Sequence, residues 1–265
     1  MLHLYNSLSG RPEPFEPVRD PVTMYVCGVT PYDTTHVGHA FTFVAFDALQ
    51  RYLQFQGHTV RHVRNLTDVD DSILQRARER RLDYRLLGEE QIDQFHDDME
   101  GLNCLPPTVE PRASDEIPFM QDIVRKMIET GAAYSVDGWV YLHVGAFPEY
   151  GRLGKFSRDE MLHLSAKRGA DPEDPHKKDP LDFVLWQPSL PDEPKWEAPW
   201  GAGRPGWHLE CTAMSLRYLG ESIDVHGGGA DLIYPHHESE IAQSELFTGI
   251  KPFARFWMHT GMVRL

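Results

Sequence analysis

Cysteine is scarce in this chain, with only three in 265 residues, at Cys27, Cys104 and Cys211. So odd and sparse a set excludes a disulfide framework and points to a reducing compartment in which thiols are free to hold metal. Long apolar runs are missing as well. No stretch approaches the ~18 residues that a membrane span needs. The start, MLHLYNSLSGRPEPF, has neither the basic region nor the apolar core of a secretory leader. The expectation is a cytoplasmic protein with no membrane partner. Basic charge is also short, because 26 lysines and arginines stand against 40 acidic residues, a formal net charge of −14. That excludes a broad basic coat for nucleic acid but leaves room for a local basic face. The arginines between Arg51 and Arg81 are the densest cluster, and read either as such a face or as solvated helix surface.

What is present is the material of a globular enzyme. A hydrophobic content of 41% is enough for one large domain, or for one domain carrying an insertion. The apolar run VTMYVCG at 22–28 predicts a strand, 38–56 a helix with apolar Phe41, Val44, Ala45, Leu49, Tyr52 and Leu53, and TVRHVRNLT at 59–67 a second strand. This βαβ unit, with its right-handed crossover, implies a parallel sheet. Helices are expected over 68–81, 86–102 and 117–130, and short strands at 133–136 and 139–143. Residues 165–206 are rich in Pro, Asp, Lys and Gly and read as a long irregular connection. Regular patterning resumes with a helix over 207–219, a strand at 223–226, a helix over 235–248 and a strand at 255–259. The fold class is α/β, a parallel sheet interrupted by an insertion. The expected division is 1–102, 103–206 and 207–265.

Chemistry concentrates in a few residue types. Cys27, Cys211, His236 and Glu240 offer two thiolates, an imidazole and a carboxylate, the last two at helical i, i+4 spacing, which is a four-donor zinc set. Each has a plainer reading when taken alone. A cysteine at a strand end is often a small buried hydrophobe, and an i, i+4 His–Glu pair is often only a weak surface contact. Cys104, in GLNCLPP, has no donor at useful spacing and is expected in the core. His36-Val37-Gly38-His39 follows the first strand and opens the helix. Unpaired N–H groups and a partial positive charge at a helix start suit polyphosphate. Gly227, Gly228 and Gly229 after a strand permit close approach of a ligand, with Asp231 as a candidate partner for ribose hydroxyls. A bare glycine triplet is otherwise only a turn signal.

MYVCGVTPYDTTHVGH, NLTDVDD, GRPGWHLECTAM, HGGGADLIYPHHESEIAQSE and WMHTGM together resemble the catalytic core of the cysteinyl-tRNA synthetase family, class I synthetases, over nearly the whole chain. The resemblance implies a Rossmann-like catalytic domain with a connective-peptide insertion. It also implies ATP-dependent activation of cysteine and transfer to tRNA(Cys), with magnesium carried by ATP and one zinc per chain. It assigns the zinc to Cys27, Cys211, His236 and Glu240, and catalysis to His36 and His39. ATP falls to His36, Gly38, His39, Gly227, Gly228 and Asp231, and the cysteine pocket to Gly28, Thr67, Trp207 and His226. Zinc would serve selection, because a hydrophobic pocket separates cysteine from the nearly isosteric serine only weakly, while soft thiolate binds the metal well.

A second resemblance is to the cysteine ligase of mycothiol biosynthesis, which acylates an amino-sugar inositol. It rests on TPYDTTH and RDEMLHLSAKRGADP. The synthetase pattern is closer at His226 and at Glu240, which that ligase family lacks as a zinc ligand. A non-catalytic zinc- and cysteine-binding module is the third class. The synthetase family follows its WMHTGM strand with a KMSKS loop, a helical bundle and an anticodon-binding domain. This sequence stops at Leu265, so the expectation is a catalytic core, either a fragment or a short homologue.

Overall fold

The computed structural model describes residues 1–263, so the last two residues of the expected 207–265 segment lie outside the described residues. Two compact units divide the chain: residues 1–114, 217–231 and from 254 onward form the first, and Asp115–Leu216 with Leu232–Phe253 form the second.

The first unit is built on a parallel sheet of four strands in the order β10-β9-β3-β4, namely Ala254–Thr260, Ile223–Gly229, Val22–Val29 and Val60–Leu66. Helix α1 (Val37–Phe55) connects β3 to β4, the expected βαβ unit. A hairpin of β1 (His3–Asn6) and β2 (Arg11–Pro14) precedes it, and α2 (Asp71–Arg80) and α3 (Tyr84–Gly101) follow. β3 is buried at nearly every position, as a central parallel strand covered on both faces must be. The Asp224 carboxylate on β9, 2% exposed, accepts from Thr23 N at 3.0 Å and from Thr23 Oγ1 at 2.8 Å, which pins β9 to β3 at the start of both strands.

Helix α1 corrects one expectation. Of the apolar residues that suggested it, Leu49 and Leu53 enter the core, but Phe41, Val44 and Tyr52 are exposed, and Thr42, Phe43 and Phe46 are buried in their place. Its sequence is apolar on both sides, so periodicity alone could not choose the face. The arginine cluster does not form one basic face either. Arg64 is buried against Glu110 at 2.6 Å, while Arg76 and Arg80 both pair with Asp33.

His62 on β4 is 5% exposed, and its Nδ1 lies 2.9 Å from Gln50 Oε1. Burial pushes its pKa from 6.5 down to about 3. The unfolded chain therefore takes up a proton below pH 6.5 that the native ring refuses until near pH 3, so this contribution is complete above pH 6.5 and is lost as pH falls. Stability measured by urea unfolding is expected to drop by about 2 kcal/mol from this group between pH 7 and pH 5. His62→Gln should remove that share, and an unchanged pH slope in the variant would contradict it.

The second unit holds α4 (Ile117–Glu129), α5 (Arg158–Lys167), α6 (Trp207–Leu219, of which residues up to 216 belong here), a kinked turn at Ile233–His237 in which Tyr234 is extended, and α7 (Glu238–Thr248). Its sheet is antiparallel, in the order β5-β6-β7-β8, with β5 Ala133–Val136, β6 Trp139–Leu142, β7 Phe183–Pro188 and β8 Gly203–Pro205. Residues 165–206 are thus not irregular throughout. The short run FVLW buries Phe183, Leu185 and Trp186 and pairs with β6 despite the prolines on both sides. Among the described residues, no helix is long and apolar enough to cross a membrane.

Candidate functional site

In the first unit the expected residues gather at the carboxyl ends of the parallel strands. His36 is the N-cap of α1, and its Nδ1 accepts from Gly38 N at 3.1 Å. His39 returns the bond, its Nδ1 accepting from His36 N at 3.3 Å, and the two rings stack with centroids 4.0 Å apart. With both Nδ1 atoms engaged as acceptors, each neutral ring carries its proton on Nε2. Burial lowers the pKa of His39, the neighbouring His36 lowers it further, and Asp231 opposes both. The start of α1 therefore offers Nε2–H donors beside the helix dipole.

The glycines here are required by space. A Cβ on Gly28 would stand 1.7 Å from Asn65 O, and one on Gly227 would stand 2.0 Å from Phe46 Cζ. Asn65 also binds Gly28 N through Oδ1 at 2.9 Å and donates from Nδ2 to Thr67 Oγ1 at 3.0 Å, so Gly28 and Thr67 share one side chain. Sequence reasoning missed Asn65, although it stands inside the RNLTD segment. His226 is fully buried, stacks on Trp257 with centroids 4.4 Å apart, and is held near pKa 3 by burial. The sulfur of Cys27 and a ring nitrogen of His226 lie within 4.8 Å of each other. His259 on β10, also unforeseen, bonds Ser7 Oγ at 2.7 Å, and burial pushes its pKa to about 3.

In the second unit, Cys211 Sγ, a ring nitrogen of His236 and a carboxylate oxygen of Glu240 lie within 4.8 Å of one another. All three residues are almost wholly buried. His236 Nε2 is 3.3 Å from Glu240 Oε1. Trp207 stacks on His236 with centroids 4.3 Å apart. On the other side of the ring, His236 Nδ1 lies 3.0 Å from His208 Nδ1. His208 keeps some exposed surface, yet burial of its ring pushes the pKa to about 3. The adjacent His237 Nε2 is 3.9 Å from Glu240 Oε1, a further donor that the i, i+4 pattern had passed over. A thiol, an imidazole and a carboxylate shut away from water form a donor set that fits zinc. Of the four expected ligands, Cys27 belongs to the first unit and the other three to the second. Cys104, expected in the core, is instead only half-buried and packs against the core of the first unit.

Residues 14–265 match the family described as tRNA synthetases class I (C) catalytic domain. The chain is 48% identical over 266 residues to a cysteine–tRNA ligase of Dehalococcoides mccartyi, covering 100% of this chain and 57% of that protein. It is 50% identical over 266 residues to the cysteine–tRNA ligase of Trichlorobacter lovleyi, covering 53% of it, and 48% identical over 263 residues to that of Aquifex aeolicus, covering 52%. The chain spans about half the length of the curated relatives it matches. Among solved structures, Mycobacterium tuberculosis methionyl-tRNA synthetase bound by methionyl-adenylate shares the fold at 17% identity, with a TM-score of 0.65 over 91% of this chain and 57% of that one.

Proposed function

This chain belongs to the class I (C) tRNA synthetase catalytic-domain family, and from that membership we propose that it activates cysteine with ATP and serves its transfer to tRNA(Cys). Support for the substrate comes from one observation, the 48–50% identity along the chain to proteins named cysteine–tRNA ligase. On this reading residues 1–102 and 207–265 are the two halves of the catalytic domain, and 103–206 is the connective insertion. Three free cysteines fit a cytoplasmic setting.

The cysteine carboxylate attacks the α-phosphorus of ATP, giving cysteinyl-adenylate and pyrophosphate, and the acyl group then passes to a terminal ribose hydroxyl of the tRNA with release of AMP. No enzyme nucleophile is required, so catalysis is positioning together with charge stabilisation. His36 and His39 donate from Nε2 to the phosphates, which arrive with magnesium. Gly38, Gly227 and Gly228 let the nucleotide approach the backbone, and Asp231 takes the ribose hydroxyls. Gly28, Thr67, His226 and Trp207 line the cysteine pocket. Cys211, His236 and Glu240 would hold zinc, with Cys27 as the fourth donor. When bound, zinc supplies a soft acceptor that takes a thiolate in preference to the protonated hydroxyl of serine.

A sulfamoyl analogue of cysteinyl-adenylate should stabilise the protein against heat, by about 2.7 kcal/mol at a hundredfold excess over its Kd. The seryl counterpart at the same concentration should give a much smaller shift in Tm. Equal shifts would remove thiol selection from the reading, and no shift with either would remove the activation reaction itself.

A further inference from the structure

Helix α7 carries the metal donor Glu240 in a sequence, ESEIAQSE, that is mostly polar, yet every residue from Glu238 to Glu245 is buried. Burying carboxylates and hydroxyls is unfavourable unless something binds them. Partners for Glu238, Ser239 and Glu245 come from one short segment of the insertion, residues 150–154, while Phe253 N also donates to Glu245 Oε1 at 3.1 Å and Gln243 bonds back to Ser239 O. The Tyr150 hydroxyl lies 3.1 Å from Ser239 Oγ. Leu153 N and Gly154 N donate to Glu238 Oε2 at 2.9 and 3.1 Å. Arg152 Nη2 donates to Glu245 Oε1 at 2.5 Å. Gly151, at φ +100°, makes the left-handed turn that brings these groups round within five residues.

The same segment reaches the turn before the helix. Tyr150 packs edge-on to Tyr234 with centroids 6.1 Å apart, and the Tyr234 hydroxyl lies 2.9 Å from Ser165 Oγ on α5. Tyr234 sits two residues ahead of the donor His236. Glu240 follows Glu238 by two residues, roughly 200° around a helix, so the contacts to Glu238 grip the side of α7 away from the donor.

We propose that residues 150–154 are a brace that sets the geometry of the metal-bearing turn and helix, and that Glu238 is the positioning residue through which they act. The proposal rests on the metal reading above. It predicts that metal affinity and ligand geometry respond to residues that touch no donor atom.

Cobalt(II) is the probe, read in the whole chain by its d–d bands, its thiolate charge-transfer band and its affinity in chelator competition. Glu238→Ala should weaken cobalt binding about tenfold or more and alter the d–d bands. Glu238→Gln keeps a carbonyl oxygen for the Leu153 and Gly154 N–H groups, and should recover most of both. Tyr150→Phe keeps the ring and loses only the hydroxyl, and should give a smaller change in the same direction, so the idea stays testable if Glu238→Ala fails to fold. A merely structural role would lower Tm in the variants while leaving spectrum and affinity at the wild-type values, and that result overturns the brace. If the wild-type chain gives no thiolate-to-cobalt band, the metal reading falls and the brace with it, an outcome distinct from a change confined to the variants.

Discussion

Replacing Cys211 with serine is expected to strip the protein of zinc. In the wild-type chain about one metal per molecule should survive a wash with a moderate chelator, because the sulfur, imidazole and carboxylate of the second unit converge in a site closed to solvent. A serine hydroxyl at that position stays protonated at neutral pH and is a poor zinc ligand. Changing even an outer partner of a ligand typically costs ten- to a hundredfold in affinity, so loss of a first-rank thiolate should cost more than about a hundredfold. Cys27→Ser is expected to behave alike, since Cys27 is assigned as the fourth donor. Cys104→Ser is the control: its thiol is partly exposed, packs against the core of the first unit, and has its pKa raised by burial and by Asp47. The control should keep its zinc, which separates loss of a ligand from loss of a thiol. Lowering the pH should release metal from the wild-type protein, because protons compete for the same donors. Full zinc retention in washed Cys211→Ser would sink the assignment.

The candidate donors were legible because their chemistry is rare. Two of three cysteines stood in motifs, and His236 and Glu240 had helical spacing. The structure adds that a kinked turn, with Tyr234 extended, leads through His236 into α7. The parallel sheet was legible for a different reason. VTMYVCG is apolar at every position but Thr23, as suits a strand covered on both faces.

What escaped the sequence depends on partners far along the chain. Strand β7 lies between prolines and aspartates, and its strand character comes from pairing with β6 rather than from its neighbours. Local composition outvoted it. The exposed side of α1 was equally hidden, since Phe41 and Phe43 are alike as residues and only the sheet beneath tells them apart. His208 reads in sequence as one more histidine, and becomes the partner of His236 only when α6 meets the turn at Ile233–His237. Residues 150–154 are the extreme case, because each of their bonds to α7 spans more than eighty positions. No periodicity carries that information.

His39→Ala should separate rate from folding more sharply than any other single change. Two effects are removed together. One is the acceptor that satisfies His36 N at the start of α1, a capping interaction worth about 1 kcal/mol. The other, on the proposed function, is a neutral N–H donor to developing phosphate charge, and deleting one such donor typically costs about 3 kcal/mol of transition-state stabilisation. The chemical loss is thus the larger, equivalent to roughly a hundredfold or more in rate. Burial lowers the pKa of His39, so the ring is neutral near pH 7 and its Nε2–H donor keeps the same state above that pH. The loss is therefore expected to be nearly constant above neutrality. In a protein that carries out cysteine-dependent ATP–pyrophosphate exchange, kcat should fall by that factor while the KM for ATP changes little, since the bond strengthens only as charge develops. Chemical denaturation should register only the smaller capping loss. His39→Asn supplies a short carbonyl for His36 N and an amide donor on the same side chain, so it should restore the cap and part of the rate. If His39→Ala instead raises KM alone and leaves kcat intact, His39 binds ATP without assisting the transfer, and charge stabilisation at the start of α1 rests on His36 and the backbone N–H groups.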